Sequence, residues 1–157
     1  MKHIIGQYSC FVEDIKKNIA TTNFSTIFDL QPLSTNVANY GAQRGGNVLG
    51  LNRHNRSRVI AAVGAILFSG HYDDQDVAKV YRLSMAVNQR IKAYAASIGA
   101  LDEFMYLPYA DATQDPLGSY GKKNSDHIRR VAKHYDPTEF FQRRVPGGFK
   151  ISRVGKH

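Results

Sequence analysis

YLPYADATQDPLGSYGKKNSDHIRRVAKHYDPTEFFQRRVPGGFK, residues 106–150, is the stretch whose reading decides the fold. It begins inside a run, Leu101 to Asp111, that reads as a strand interrupted by Pro108, a residue that cannot donate a ladder hydrogen bond. A loop punctuated by Pro116, Gly118 and Gly121 follows. The spacing then predicts an amphipathic helix over Asn124–Tyr135 that packs Ile128, Val131 and Ala132 inward. Asp136-Pro137 breaks it, Pro137 to Phe141 makes a short helical turn, and Pro146-Gly147-Gly148 turns the chain again. Asp111 and Asp115 beside the Pro-Gly loop read as turn or cap residues.

Upstream, Val77, Val80, Tyr81, Val87, Ile91, Tyr94 and Ile98 follow the 3-4 rhythm of a long helix, with Asp73 or Asp74 as N-cap and Gly99 closing it. Arg58 to Ser69 is apolar on both faces of a strand, so both faces need cover. Gly45 to Leu51 reads as a second strand entered through glycines, and Ser34 to Gly46 as a polar binding loop. Phe24 to Leu30 alternates with a period of two, with Phe24, Thr26, Phe28 and Leu30 on one face. Tyr8, Phe11, Val12, Ile15 and Ile19 mark a surface helix. The sum is an α+β fold, an antiparallel sheet with helices packed on one face, in a single domain spanning residues 1–157.

Composition narrows the function. The net charge of +8 comes from scattered basic residues, without a recognition-helix or RNA-binding motif, so no nucleic-acid partner is expected. The longest apolar run, Val59 to Ser69, is too short to span a bilayer, and MKHIIGQYSC lacks a signal-peptide core, so no membrane partner is expected and the expected place is the cytoplasm. Cys10 is alone and forms no internal disulfide. There is no Ser-His-Asp order, no metal-ligand spacing and no phosphate loop.

The segment from Tyr106 to Lys150 resembles the C-terminal signature of the FAD-linked oxidases related to berberine bridge enzyme. The match runs through Tyr106, Tyr109 and Asp111, then Ser119-Tyr120-Gly121, Tyr135-Asp136-Pro137, Phe141-Gln142 and Pro146-Gly147-Gly148-Phe149. Arg44 to Leu51, RGGNVLGL, is similar to a segment of the family's fungal members. One departure is chemical: Pro108 stands where the family has the Asn beside the flavin ring. The resemblance implies a substrate-domain sheet laid over a flavin, with the FAD-binding half, its His and Cys flavin linkages included, outside these 157 residues.

It also implies where a site would lie, on the sheet face that looks toward the flavin. The expected catalytic set is Tyr106, Asn47 and His71, with Tyr40, Phe68 and Tyr109 binding substrate; His54 flanks the same strand. Tyr hydroxyls or the Asn amide would bond a substrate carbonyl. Each residue also has a plain role, since strand tyrosines usually pack in cores and turn histidines face water. Three functions follow from the resemblance. One is a cofactor-independent cyclase or isomerase of secondary metabolism acting on a small apolar substrate. Another is the C-terminal portion of an FAD-dependent oxidoreductase that works with a separate FAD-binding half. The last is a non-catalytic small-molecule binder. No bound FAD, no metal and a homodimer formed through the sheet are expected for the chain alone.

Overall fold

The computed structural model describes residues 2–20, 23–68 and 72–155. They fall into two compact units, Met1–Gln31 with Ala61–Leu101 and Pro32–Ile60 with Asp102–His157. The fold class is α+β, with one two-stranded antiparallel sheet among the described residues.

In the first unit, α1 (Lys2–Asn18) presents Ile4, Tyr8, Phe11 and Ile15 at helical spacing, one turn more than the stripe that begins at Tyr8. Phe11 and Ile15 are fully buried against Val80, Val87 and Ile91 of α3 (Asp74–Ser97) and Val63 of β2 (Arg58–Leu67). Helix α3 begins where its cap chemistry says it should: the Asp73 carboxylate accepts from the Asp76 N–H at 2.8 Å. Gly99, at φ +66°, follows its end. On the covered side of the sheet, Phe24 and Phe28 of β1 (Phe24–Leu33) join Ala65 and Leu67. Tyr8 ties helix to strand, stacking on Phe28 at 5.0 Å while its hydroxyl and that of Thr26 lie 2.6 Å apart. The Asn88 side-chain amide donates to the Val63 carbonyl at 3.0 Å. The other face leaves Ile27 and Ile66 exposed, with Phe68 exposed just beyond β2. Strand β1 runs three residues past Leu30, through Pro32, which an edge strand tolerates.

The second unit departs most from the sequence reading. Residues expected to form a loop make helix α2 (Thr35–Gln43), begun by the Ser34 hydroxyl, which accepts from the Asn36 N–H at 3.1 Å. It buries none of its residues, so no apolar stripe announces it. The expected strand Gly45 to Leu51 is turns leading to a 3-10 turn at Leu51–Arg53. Gly45, Gly46 and Gly50 have φ of +95°, +86° and +71°, which no extended strand allows. The expected strand Leu101 to Asp111 is absent too. Its backbone donors go to side chains and to its own turn: Phe104 N–H to Asp102, Met105 N–H to the Ser119 hydroxyl, and Tyr109 N–H to the Tyr106 carbonyl. A 3-10 turn at Leu107–Tyr109 results, with Pro108 inside it.

Further along this unit come α4 (Pro116–Ser119), α5 (Lys122–Tyr135), α6 (Phe140–Arg143) and a 3-10 turn at Ile151–Arg153. Asp115 caps α4 by accepting from Gly118 N–H, and Asp111 accepts from Thr113 N–H, so both carboxylates are turn residues as read. Along α5 the most buried residue is Ser125, whose hydroxyl donates to the Leu117 carbonyl, whereas Val131, expected inward, is exposed.

Candidate functional site

The tyrosine cluster of the second unit is built from two turns. The turn at Leu107–Tyr109 sets the Tyr106 and Tyr109 rings perpendicular with centroids 5.0 Å apart. The Ser119-Tyr120-Gly121 segment brings in Tyr120, 4% exposed, stacked on Phe104 at 6.0 Å. Burial, and then the neighbouring Tyr106 phenol, push the Tyr120 hydroxyl above the usual tyrosine range. Tyr120 was legible only as a motif letter; nothing in its spacing marks it as a partner of Tyr106.

Arg53 holds that segment in place. Its guanidinium donates to the Ser119 and Gly50 carbonyls and reaches Glu103 Oε2 at 3.3 Å. It lies between two glycines with positive φ: a Cβ at Gly121 would meet Arg53 Nη1 at 2.8 Å, and one at Gly50 would meet Arg53 Nε at 2.9 Å. Asn124 Nδ2 adds a bond of 3.0 Å to the Tyr120 carbonyl.

A second charged group lies close in sequence. Asp102 accepts from Arg58 Nε at 2.8 Å and Arg56 Nη2 at 3.2 Å, and Arg58 also donates to the Leu51 carbonyl. Burial works to raise the Asp102 carboxyl, but the Phe104 N–H and the two guanidinium groups overcome it and hold it below the usual aspartate range. The folded value thus lies under the unfolded one. Its contribution to stability is complete above the ordinary aspartate value of about 3.9 and is lost as pH falls from there through the folded value. Asp102→Asn should flatten that acid limb of the stability curve, as read by urea unfolding from about pH 5 down to about pH 2, and an unchanged limb would place the titrating group elsewhere.

The remaining expected residues do not join the tyrosines on a sheet. Tyr40 is exposed on α2 beneath the Arg44 guanidinium, 5.7 Å from the ring centroid. Asn47 Oδ1 accepts from Leu49 N–H at 3.0 Å, which fixes a turn. With Ala38, Ala42, Gly46, Leu51 and Asn52 it lines a recess of about 10 Å³, room for about one water. Phe68 belongs to the first unit, and its N–H donates to the Asn23 carbonyl. His71 lies outside the described residues. Tyr40, Asn47, Tyr106 and Tyr109 all lie off the strands, so the expected layout of a site across one sheet surface is corrected: these positions sit on a helix and on turns.

Ligand pockets measure about 300 Å³ or more. The recess beside Asn47 therefore does not enclose a dinucleotide, and the described residues supply no FAD cradle there. Among the described residues no group of His, Cys, Asp and Glu could hold a metal, and no helix is long and apolar enough to cross a membrane.

Several curated proteins are similar to this chain, three of them as follows. The FAD-dependent monooxygenase drtC of Aspergillus calidoustus is 34% identical over 98% of the chain, which covers 28% of that protein. The FAD-dependent monooxygenase sdcF of Emericella nidulans is 40% identical over 71% of the chain and 22% of its own length. The FAD-dependent monooxygenase FUP4 of Fusarium proliferatum is 31% identical over 90% of the chain and 28% of its own length. The chain thus spans little more than a quarter, at most, of these relatives. No family model and no solved structure matches it.

Proposed function

We propose that this chain supplies the substrate-side wall of an FAD-dependent oxidoreductase of the berberine bridge enzyme-like kind, the flavin being held by other polypeptide. The observation that carries the reading is the alignment with drtC, which uses nearly all of this chain and only 28% of a protein named for its FAD dependence. The flavin, when bound, would supply the redox chemistry. The chain's part would be to hold and orient a small apolar substrate. Tyr106 and Tyr109 would donate to its carbonyl or phenol, with the Asn47 amide of the same unit adding a donor and Tyr40 giving apolar contact.

Purified chain is expected to be colourless and to bind no FAD on titration. Full-length drtC in which this chain replaces the matched segment should retain flavin-dependent turnover. A yellow preparation that releases stoichiometric flavin on denaturation would overturn the division of labour, and a folded, flavin-loaded but inactive graft would overturn the role. Alone, the exposed Ile27 and Ile66 face should also pair with a second copy, giving a dimer mass by light scattering on the same sample.

A further inference from the structure

The C-terminal part of the second unit presents a rigid aromatic patch to solvent. Tyr135, Phe140 and Phe141 are 81%, 54% and 61% exposed, although large aromatic side chains at such exposure are uncommon outside binding surfaces. Their positions are held, not loose. Both oxygens of Asp136 cap the next helix, accepting from the Phe140 and Phe141 N–H groups at 2.8 and 2.9 Å, while the Asp136 N–H donates to the Ala132 carbonyl at the end of α5. Glu139 makes the corner at φ +57°, uncommon for a residue with a side chain, and an ion pair of 2.6 Å with Arg143 secures it. The Phe140 and Phe141 rings meet edge to face at 5.5 Å.

Charge surrounds the patch with one sign. Residues 122–153 contain nine Lys and Arg against three acids, in a chain of net charge +8. All three acids are engaged: Asp126 by Lys122 and Arg129, Asp136 as the cap, and Glu139 by Arg143. Among the described residues Lys123, Arg130, Lys133 and Arg144 form no ion pair. On α5, Lys123, His127, Arg130 and His134 fall at i, i+4, i+7 and i+11, all exposed, which makes one stripe roughly 16 Å long. It ends at Tyr135, whose ring lies 4.8 Å from the His134 ring, one residue before the Asp136 carboxylate that caps Phe140 and Phe141.

We infer that this face is a protein-docking surface whose partner is an acidic polypeptide segment bordering an apolar groove that receives Phe140 and Phe141. Rigid aromatics beside arginines are the composition of interface hot spots, and unpaired cations on the rim call for carboxylates opposite. A second copy is disfavoured because it would bring the same positive charge against itself. The occupant is polypeptide because drtC carries this stretch in 28% of its length and so has other chain to set against it. The inference rests on the proposed division of labour and names the chemistry of the contact.

The test titrates the whole chain with a poly(Glu,Tyr) copolymer, with poly-Glu, with phosphatidylserine vesicles and with duplex DNA. The acidic aromatic polymer should bind about tenfold more tightly than poly-Glu, and Phe140→Ser with Phe141→Ser should remove that difference. Lys123→Glu with Arg130→Glu should weaken both polymers about tenfold. Circular dichroism should show each variant folded, as exposed positions allow. The inference is overturned if the two polymers bind equally, if the aromatic variants change nothing, or if vesicles or DNA bind more tightly. The drtC graft reads the functional proposal separately: an active graft with no polymer selectivity sinks only this surface, while an inactive graft with full selectivity sinks only that role.

Discussion

Phe11→Ala should cost the first unit about 3–5 kcal/mol, the range for emptying a fully buried aromatic site. Phe11 is completely buried among Ile15, Val63, Val80, Val87 and Ile91, residues on two helices and a strand that cannot all close on a phenyl-sized void. A domain has only about 5–15 kcal/mol in hand, so a large part of the margin would go. Urea unfolding followed by circular dichroism reads the loss. Ile5→Ala on the same helix is the control: Ile5 is exposed, so its truncation should change stability by about 0.5 kcal/mol or less. Equal losses for the two would mean that α1 does not pack as described.

That core was readable because it is periodic. Phe11 and Ile15 on α1, with Ile19 just past its end, and Val80, Val87 and Ile91 on α3, recur at helical spacing, and Arg58 to Leu67 is apolar enough to be a strand under any reading. The second unit has no such rhythm. Helix α2 buries nothing, so its sequence differs little from a polar loop, and only the Ser34 cap marks its start. Val48, Leu49 and Leu51 suggest a strand, yet positive φ at three glycines bends the backbone away from one. The tyrosine cluster was half legible. Tyr106 and Tyr109, three apart, face each other through a local turn that Pro108 announces. Tyr120 and its support depend on Arg53, which reaches Ser119 across 66 positions of sequence, a distance over which composition and spacing carry no signal. Asn47, expected as a hydrogen-bonding group for a substrate, also spends its side-chain oxygen on Leu49 N–H two residues on, a local turn bond that spacing does not announce.

The Arg53 junction makes the sharpest forecast for that unit. Gly50 has φ +71°, where a Cβ is itself unfavourable, and its Cβ would overlap the Tyr120 carbonyl oxygen while lying 2.9 Å from Arg53 Nε and 3.2 Å from Asn124 Nδ2. Side-chain ends can swing aside, but the Tyr120 carbonyl is backbone, fixed by Asn124 and by its place next to the Arg53-bound Ser119. Gly50→Ala should therefore combine the left-handed penalty of about 1–2 kcal/mol with an overpacking cost of about 1–3 kcal/mol. Gly147 separates the two contributions. It has nearly the same φ, +73°, with nothing within 4 Å of its Cβ position, so Gly147→Ala should show the conformational penalty alone. The difference between the variants then measures the contact with Tyr120. If it is real, Gly50→Ala should also let the Tyr120 phenol titrate closer to the usual tyrosine range, because the ring leaves the burial that raises it. Equal stability losses in Gly50→Ala and Gly147→Ala, with tyrosine titration unchanged, would mean that residues 50–53 and 118–121 do not meet as described.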